Sequence, residues 1–187
     1  MDEIGCSREE VLSLLAGYRA RDVPHERIFS SMCTVPHKIA LEAHKYFAST
    51  NLGDPGLYPG TAEIERMLIS DLGSLLHGKD IGGYATSGGT ESNLQAVRIA
   101  KKLHPTDKPN IVVPKSAHFS FDKTSDILGV EMRMAPYKEG SFTVDTEKMA
   151  ELVDKNTIAV ACVAGTTEYG VIDDVKSVSS IALENDI

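Results

Sequence analysis

Two short apolar runs constrain this chain more than any other feature. Ile111-Val112-Val113, between Pro109 and Pro114, has the length of a strand, and so does the wholly apolar stretch at 158–163. Neither alternates with polar residues, so each needs cover on both faces. The intervening segments can supply it. Residues 119–128 read as a helix stopped by Gly129, and 130–134 as a further strand. Asp145 can cap a helix through 153, and a last helix covers 175–184. Such alternation predicts an α/β fold, a mostly parallel sheet covered by helices. In these sheets a ligand sits beyond the carboxyl ends of the strands, in the loops leading to helices.

Upstream the pattern is helical. Ser7-Arg8-Glu9-Glu10 is a capping-box sequence ahead of Val11, Leu12, Leu14 and Leu15. A second helix is expected over 39–47. The Gly- and Pro-rich residues 51–60 form an irregular loop, and loops of this length between compact elements often carry function. From Thr61, the residues Ile64, Met67, Leu68, Leu72, Leu75 and Leu76 recur at helical spacing, with Gly78 as the expected stop. A further helix is expected over 90–103, closed by His104-Pro105.

With 187 residues, 42% of them hydrophobic and 25% charged, the chain can build one real core. A formal net charge of −8 argues against nucleic acid as a partner, since phosphate backbones are met by basic patches. No apolar run approaches a membrane span, and the acidic Met1-Asp2-Glu3 is no secretory n-region. Three scattered cysteines, Cys6, Cys33 and Cys162, suit a reducing cytoplasm better than a disulfide framework. The six histidines lack metal-ligand spacing; His37 and His44 could share a helix face, and are read as partly exposed side chains rather than ligands. No metal site is expected.

Three segments carry possible chemistry. Thr86-Ser87-Gly88-Gly89-Thr90-Glu91-Ser92-Asn93 opens a helix, where the N–H groups of Gly89 and Thr90 and the hydroxyls of Ser87 and Thr90 could cradle a phosphate. The same residues could equally form an ordinary capped turn. It is neither a P-loop nor a dinucleotide fingerprint. Ser116-Ala117-His118-Phe119-Ser120 follows the first apolar strand, placing His118 where a ligand would lie, although a structural histidine is the commoner outcome for such a residue. Ala164-Gly165-Thr166-Thr167-Glu168-Tyr169-Gly170 follows the second, and its hydroxyls could bind a polar ligand or satisfy their own turn.

In this order and at these strand ends, TSGGTESN, AHFSFDK and AGTTEYGVIDD resemble the group II pyridoxal-phosphate-dependent decarboxylases, relatives of the glutamate and aromatic amino-acid decarboxylases. SMCTVPH, TNLGDPGLYPGT and LGSLL resemble in particular their archaeal tyrosine/aspartate subgroup. The resemblance implies the large-domain fold of fold-type I pyridoxal-phosphate enzymes, with pyridoxal 5'-phosphate as cofactor. Gly89 and Thr90 would hold the cofactor phosphate, His118 would stack on the pyridine ring as the catalytic side chain, and Thr167 would contact the cofactor. Asp173 would be structural, a cap for the last helix. Residues 1–60 would form an N-terminal helical segment with a substrate-entrance loop, and 61–187 an incomplete cofactor-binding domain. The implied reaction is decarboxylation of an L-amino acid, tyrosine to tyramine or aspartate to β-alanine, serving methanofuran and coenzyme A biosynthesis. A cytoplasmic homodimer is implied at full length.

The family also uses an aspartate that pairs with the pyridine nitrogen and a lysine that holds the cofactor covalently, both beyond the last helix. The sequence stops at Asn185-Asp186-Ile187, and no lysine here, Lys123 included, sits in that context. The expectation is therefore an N-terminal fragment that is inactive alone. Two rival readings are a non-catalytic partner or pseudoenzyme, and a phospholyase of the sphingosine-phosphate type. The latter would require a basic site for a substrate phosphate, for which no cluster is evident.

Overall fold

The protein was analysed as a computed structural model, which describes residues 5–29 and 34–187. Residues 1–3, and Ser31, Met32 and Cys33 of the SMCTVPH segment, lie outside the described residues. The chain forms two units, Met1–Thr61 and Ala62–Ile187, with the boundary in the first turn of a helix.

The first unit holds helices α1 (Arg8–Arg19) and α2 (Lys38–Phe47), with a 3-10 turn at His25–Arg27. The expected capping box is present: Glu10 N donates to Ser7 Oγ at 3.2 Å, and Ser7 N donates to Glu10 Oε2 at 2.7 Å. His37 precedes α2 rather than sharing its face with His44; its Nδ1 accepts from Ile39 N at 3.3 Å and caps the helix. In the Gly/Pro-rich loop, Asn51 and Asp54 fold their side chains back onto Gly53 N and Gly56 N, at 3.0 and 2.9 Å. No residue of α1 or α2 is buried within the unit.

The second unit is the expected α/β layer structure. Strands β1 (Asn110–Pro114), β2 (Glu131–Ala135) and β3 (Thr157–Val160) form a parallel sheet in the order β2-β1-β3. Four helices pack on it: α4 (Gly89–Leu103), α5 (Ser120–Leu128), α6 (Thr146–Glu151) and α7 (Val175–Glu184); α3 (Pro59–Leu75) precedes them in the chain. Strand alternation sorts the core into two layers. Ile111 and Val113 pack with Val97 of α4 and with Ile158, while Val112 packs with Met149 of α6 and Val178 and Ile181 of α7. Complete burial of each such side chain contributes about 1.5–3 kcal/mol, which is why this tripeptide determines the architecture. A register shift after Asn110 leaves Ile158 as an extra residue opposite β1 and puts Ile158 and Ala159 on one face.

Several local expectations are corrected. α3 starts at Pro59 rather than Thr61, because the fixed φ of proline suits a first helical turn. Its stop is His77, at φ 58°, not Gly78. Gly78 N donates to Gly73 O and His77 N to Ser74 O, a Schellman closure with His77 in the left-handed position. Gly129, at φ 60°, performs the expected stop of α5. β2 is an edge strand in which Glu131 and Met134 are exposed, and β3 ends at Val160 rather than 163. Asp173 does not cap α7. Asp174 does, through Ser177 N at 3.1 Å.

At the amino ends of the strands, Asp154 ties the sheet together. It accepts from Asn110 Nδ2 at 2.9 Å, Asn156 N at 2.8 Å and Arg133 Nη1 at 2.9 Å. Those bonds, that from Asn110 foremost, hold its carboxyl down at about 2. A depressed folded-state value contributes stability above the usual aspartate range, lost as pH falls through the folded value. Asp154→Asn is therefore expected to flatten the acid limb between about pH 4 and about pH 2. Urea midpoints of parent and variant across that range provide the measurement; parallel acid limbs would sink the assignment.

Candidate functional site

The amino end of α4 is open. Its cap, Gly88, is extended and offers no side chain, so no side-chain acceptor meets the first-turn amides of Gly89 and Thr90 there. A Cβ built on Gly88 or Gly89 meets no protein atom within 4 Å, so the space beside both is vacant. The Thr90 hydroxyl makes no hydrogen bond among the described residues. Ser87, expected to add a donor, is otherwise engaged. Its hydroxyl donates to Glu91 Oε2 at 2.6 Å and its amide to the same oxygen at 2.9 Å, and these bonds lower the Glu91 carboxyl. Donors without acceptors, beside free space at the positive end of a helix dipole, suit a small multivalent anion.

His118 sits in the loop between β1 and α5, half-buried at the sheet's carboxyl edge. Its Nδ1 accepts from Ser120 N at 3.2 Å and lies 3.0 Å from Ser120 Oγ. Ser120 is wholly buried, and Asn93 Nδ2 of α4 donates to the same Oγ at 2.8 Å. The first turns of α4 and α5 are thereby joined side by side. The face of the His118 ring is partly met by Phe119, at 4.1 Å between centroids and tilted by 35°.

The loop after β3 leaves the same edge, because β1 and β3 are parallel neighbours. It is closed by buried Thr166, which donates its amide to Val171 O at 2.9 Å and accepts from Gly170 N at 2.8 Å. Gly170, at φ 64°, takes a left-handed turn there. Thr167, Glu168 and Tyr169 are exposed on this loop. Beneath it, Asp173, only 2% exposed, accepts from Val163 N at 2.9 Å and from Val144 N at 2.8 Å. One carboxylate thus fastens the segments that follow β2 and β3. Tyr169 stacks on Phe142 at 4.0 Å, and both meet the Tyr137 ring edge-on. Burial first, then the neighbouring Tyr169, Glu168 and Asp173, push the Tyr137 phenol up.

Gly89 and Thr90 are thus structurally joined to His118 through Asn93 and Ser120, and Thr167 shares their sheet edge. The sequence reading overlooked the linking pair, although both residues stand inside the segments that it singled out. It also missed the aromatic cluster, whose members are far apart in the chain. Among the described residues no helix is long and apolar enough to cross a membrane, and no three His, Cys, Asp or Glu side chains gather as for a metal.

The family model described as the pyridoxal-dependent decarboxylase conserved domain matches residues 21–187. A probable L-tyrosine/L-aspartate decarboxylase of Methanocorpusculum labreanum is 65% identical over all of this chain and 51% of its own length. A probable L-aspartate decarboxylase of Archaeoglobus fulgidus is 46% identical over 95% of this chain and 48% of its own. The chain spans about half the length of the curated relatives it matches. Among solved structures, the sphingosine-1-phosphate lyase of Burkholderia pseudomallei superposes with a TM-score of 0.84 at 27% identity, covering 100% of this chain and 47% of that one. Mouse CSAD in its apo form gives 0.88 at 20% identity over 100% and 44%, a likeness of fold.

Proposed function

Because the chain belongs to the pyridoxal-dependent decarboxylase family, whose cofactor is pyridoxal phosphate, we propose that it carries the phosphate cradle and ring partner of an L-amino-acid carboxy-lyase. The observation that carries this reading is the unfilled amino end of α4, tied through Asn93 and Ser120 to His118. The donor set fits the cofactor's phosphate: two helix-terminal amides, a disengaged hydroxyl and room beside two glycines. Residues 61–187 form the cofactor-binding part, and residues 1–60 contribute the helical segment and the substrate entrance.

When bound, pyridoxal phosphate supplies an electron sink for the pair left behind as carbon dioxide departs. The protein's own residues hold and orient. Gly89 and Thr90 bind the phosphate end, His118 offers its ring as a flat partner and proton carrier, and Thr167 donates a polar contact from the β3 loop. Tyrosine, giving tyramine, and aspartate, giving β-alanine, are the proposed substrates, supported by the names of the relatives at 46–65% identity. The products would serve methanofuran and coenzyme A synthesis, in a cytoplasmic homodimer at full length. The phospholyase alternative rests on a likeness of 27%, and no basic cluster among the described residues speaks for it.

The test is made on the native polypeptide that carries this sequence. Supplied with pyridoxal phosphate, it should release carbon dioxide from tyrosine or aspartate; release from neither would reject the proposed substrates. Thr90→Ala removes one hydrogen bond to a charged phosphate, worth about 1.5–3 kcal/mol. Cofactor affinity should therefore fall by about ten- to a hundredfold, with much less change in turnover at saturating cofactor. Unaltered affinity in this variant would refute the cradle.

A further inference from the structure

We propose that Asn93 and Ser120 are positioning residues that hold the neutral His118 ring with its proton on Nε2. The inference follows from counting donors around one buried oxygen. A serine hydroxyl has one hydrogen to give and lone pairs to receive. Asn93 Nδ2 donates to Ser120 Oγ at 2.8 Å, so that contact uses a lone pair and leaves the hydroxyl hydrogen unassigned. His118 Nδ1 lies 3.0 Å from the same oxygen and can receive it. Ser120 is fully buried, so no bulk water competes for the hydrogen.

A second donor points the same way. The backbone N–H of Ser120 reaches Nδ1 at 3.2 Å. A proton on Nδ1 would face this amide head-on, at a site where the amide cannot turn away because it begins α5. Nδ1 is therefore the acceptor of the ring, and Nε2–H is its one remaining polar donor. Asn93 leaves the hydroxyl free to give its hydrogen, and the Ser120 amide settles the direction: side-chain amide to hydroxyl, hydroxyl to imidazole. Which ring nitrogen carries the proton is commonly set by the hydrogen bond that the other one makes.

The consequence for the site rests on the reading of His118 as the cofactor's ring partner. A ring pinned at Nδ1 cannot rotate freely about its own axis, and it meets a ligand with a hydrogen donor rather than an acceptor. The pattern itself does not depend on that reading, and it can be measured without the cofactor.

Two-bond nitrogen–proton correlation spectra of the native polypeptide, labelled with 15N-histidine and recorded without cofactor at alkaline pH, report the proton position on each imidazole. His118→Gln assigns the signal. In the parent, His118 should be found with its proton on Nε2 and a hydrogen-bonded Nδ1. Asn93→Asp keeps the shape but replaces the donor with a carboxylate, which accepts the Ser120 hydroxyl hydrogen. The chain of bonds then reverses, and the share of His118 protonated at Nδ1 should rise about tenfold, the effect of one reversed hydrogen bond. A parent ring protonated mainly on Nδ1, or a ratio unchanged in Asn93→Asp, overturns the proposal. Ser120→Ala gives an independent reading should the aspartate variant not fold. It removes the hydroxyl donor, so the Nδ1 resonance should move toward that of a free acceptor nitrogen, and an unmoved resonance also overturns the proposal. A purely structural role for either residue would leave the proton where it is. Loss or retention of cofactor affinity in Thr90 or His118 variants tests the functional reading separately.

Discussion

Asp173→Ala is expected to destabilise the protein by about 3–5 kcal/mol, two hydrogen bonds to a charged group being lost with both amides left behind. The carboxylate is 2% exposed, and it alone receives Val144 N and Val163 N in the pairing observed. Deleting it leaves the buried Val144 N and the part-buried Val163 N without their acceptor. Asp173→Asn should fare only partly better, since one of its two positions becomes a donor facing a donor. The neighbouring Asp174→Ala is the internal control. It loses an exposed N-cap to Ser177, a change of about 1 kcal/mol. Urea unfolding of the three variants measures the difference, and equal losses at 173 and 174 would show that the buried carboxylate has no special part. The effect should reach function as well, because Asp173 fastens the segment preceding Thr166 and Thr167.

The second large effect is expected at His118. In the native polypeptide carrying this sequence, His118→Ala removes a flat partner and two nitrogens, whereas His118→Phe removes the nitrogens alone. If the imidazole both orients the cofactor and moves a proton, each variant should lose turnover, on the order of 10²–10⁴-fold for a general acid–base group. Cofactor affinity should separate them. A lost aromatic stack is worth about 0.5–1.5 kcal/mol, so the alanine variant should bind up to about tenfold more weakly while phenylalanine remains close to the parent. Titration of cofactor binding, together with single-turnover carbon dioxide release, distinguishes the two roles. Identical affinity in all three proteins would remove stacking, and unchanged turnover in both variants would make His118 a structural residue.

The chain's layer architecture was legible from residues 111–113 and 158–163 because buried strands admit few polar side chains. Helix starts at Ser7 and Asp145 and the stop at Gly129 were also legible, since each is decided by one or two neighbouring backbone groups. The open amino end of α4 belongs to the same class: glycines in a helix's first turn cannot cap it with a side chain. The stop of α3 was misassigned to Gly78 because left-handed backbone favours glycine only on average, and His77 accepts it here.

What required the folded molecule were pairings between residues distant in sequence. Whether Asp173 or Asp174 caps α7 turns on a single position, and only the burial of the first between two loops decides it. Asn93 and Ser120 stand 27 residues apart, and nothing local predicts that one side chain will orient the other. The same holds for Tyr137, Phe142 and Tyr169, brought together by two loops at one sheet edge. Periodicity and capping are properties of neighbouring backbone groups, so the residues alone determined the elements and the segments in which chemistry could lie. Donor direction, burial and the partner of each polar atom depend on which surfaces meet in space, and those only the tertiary structure decided.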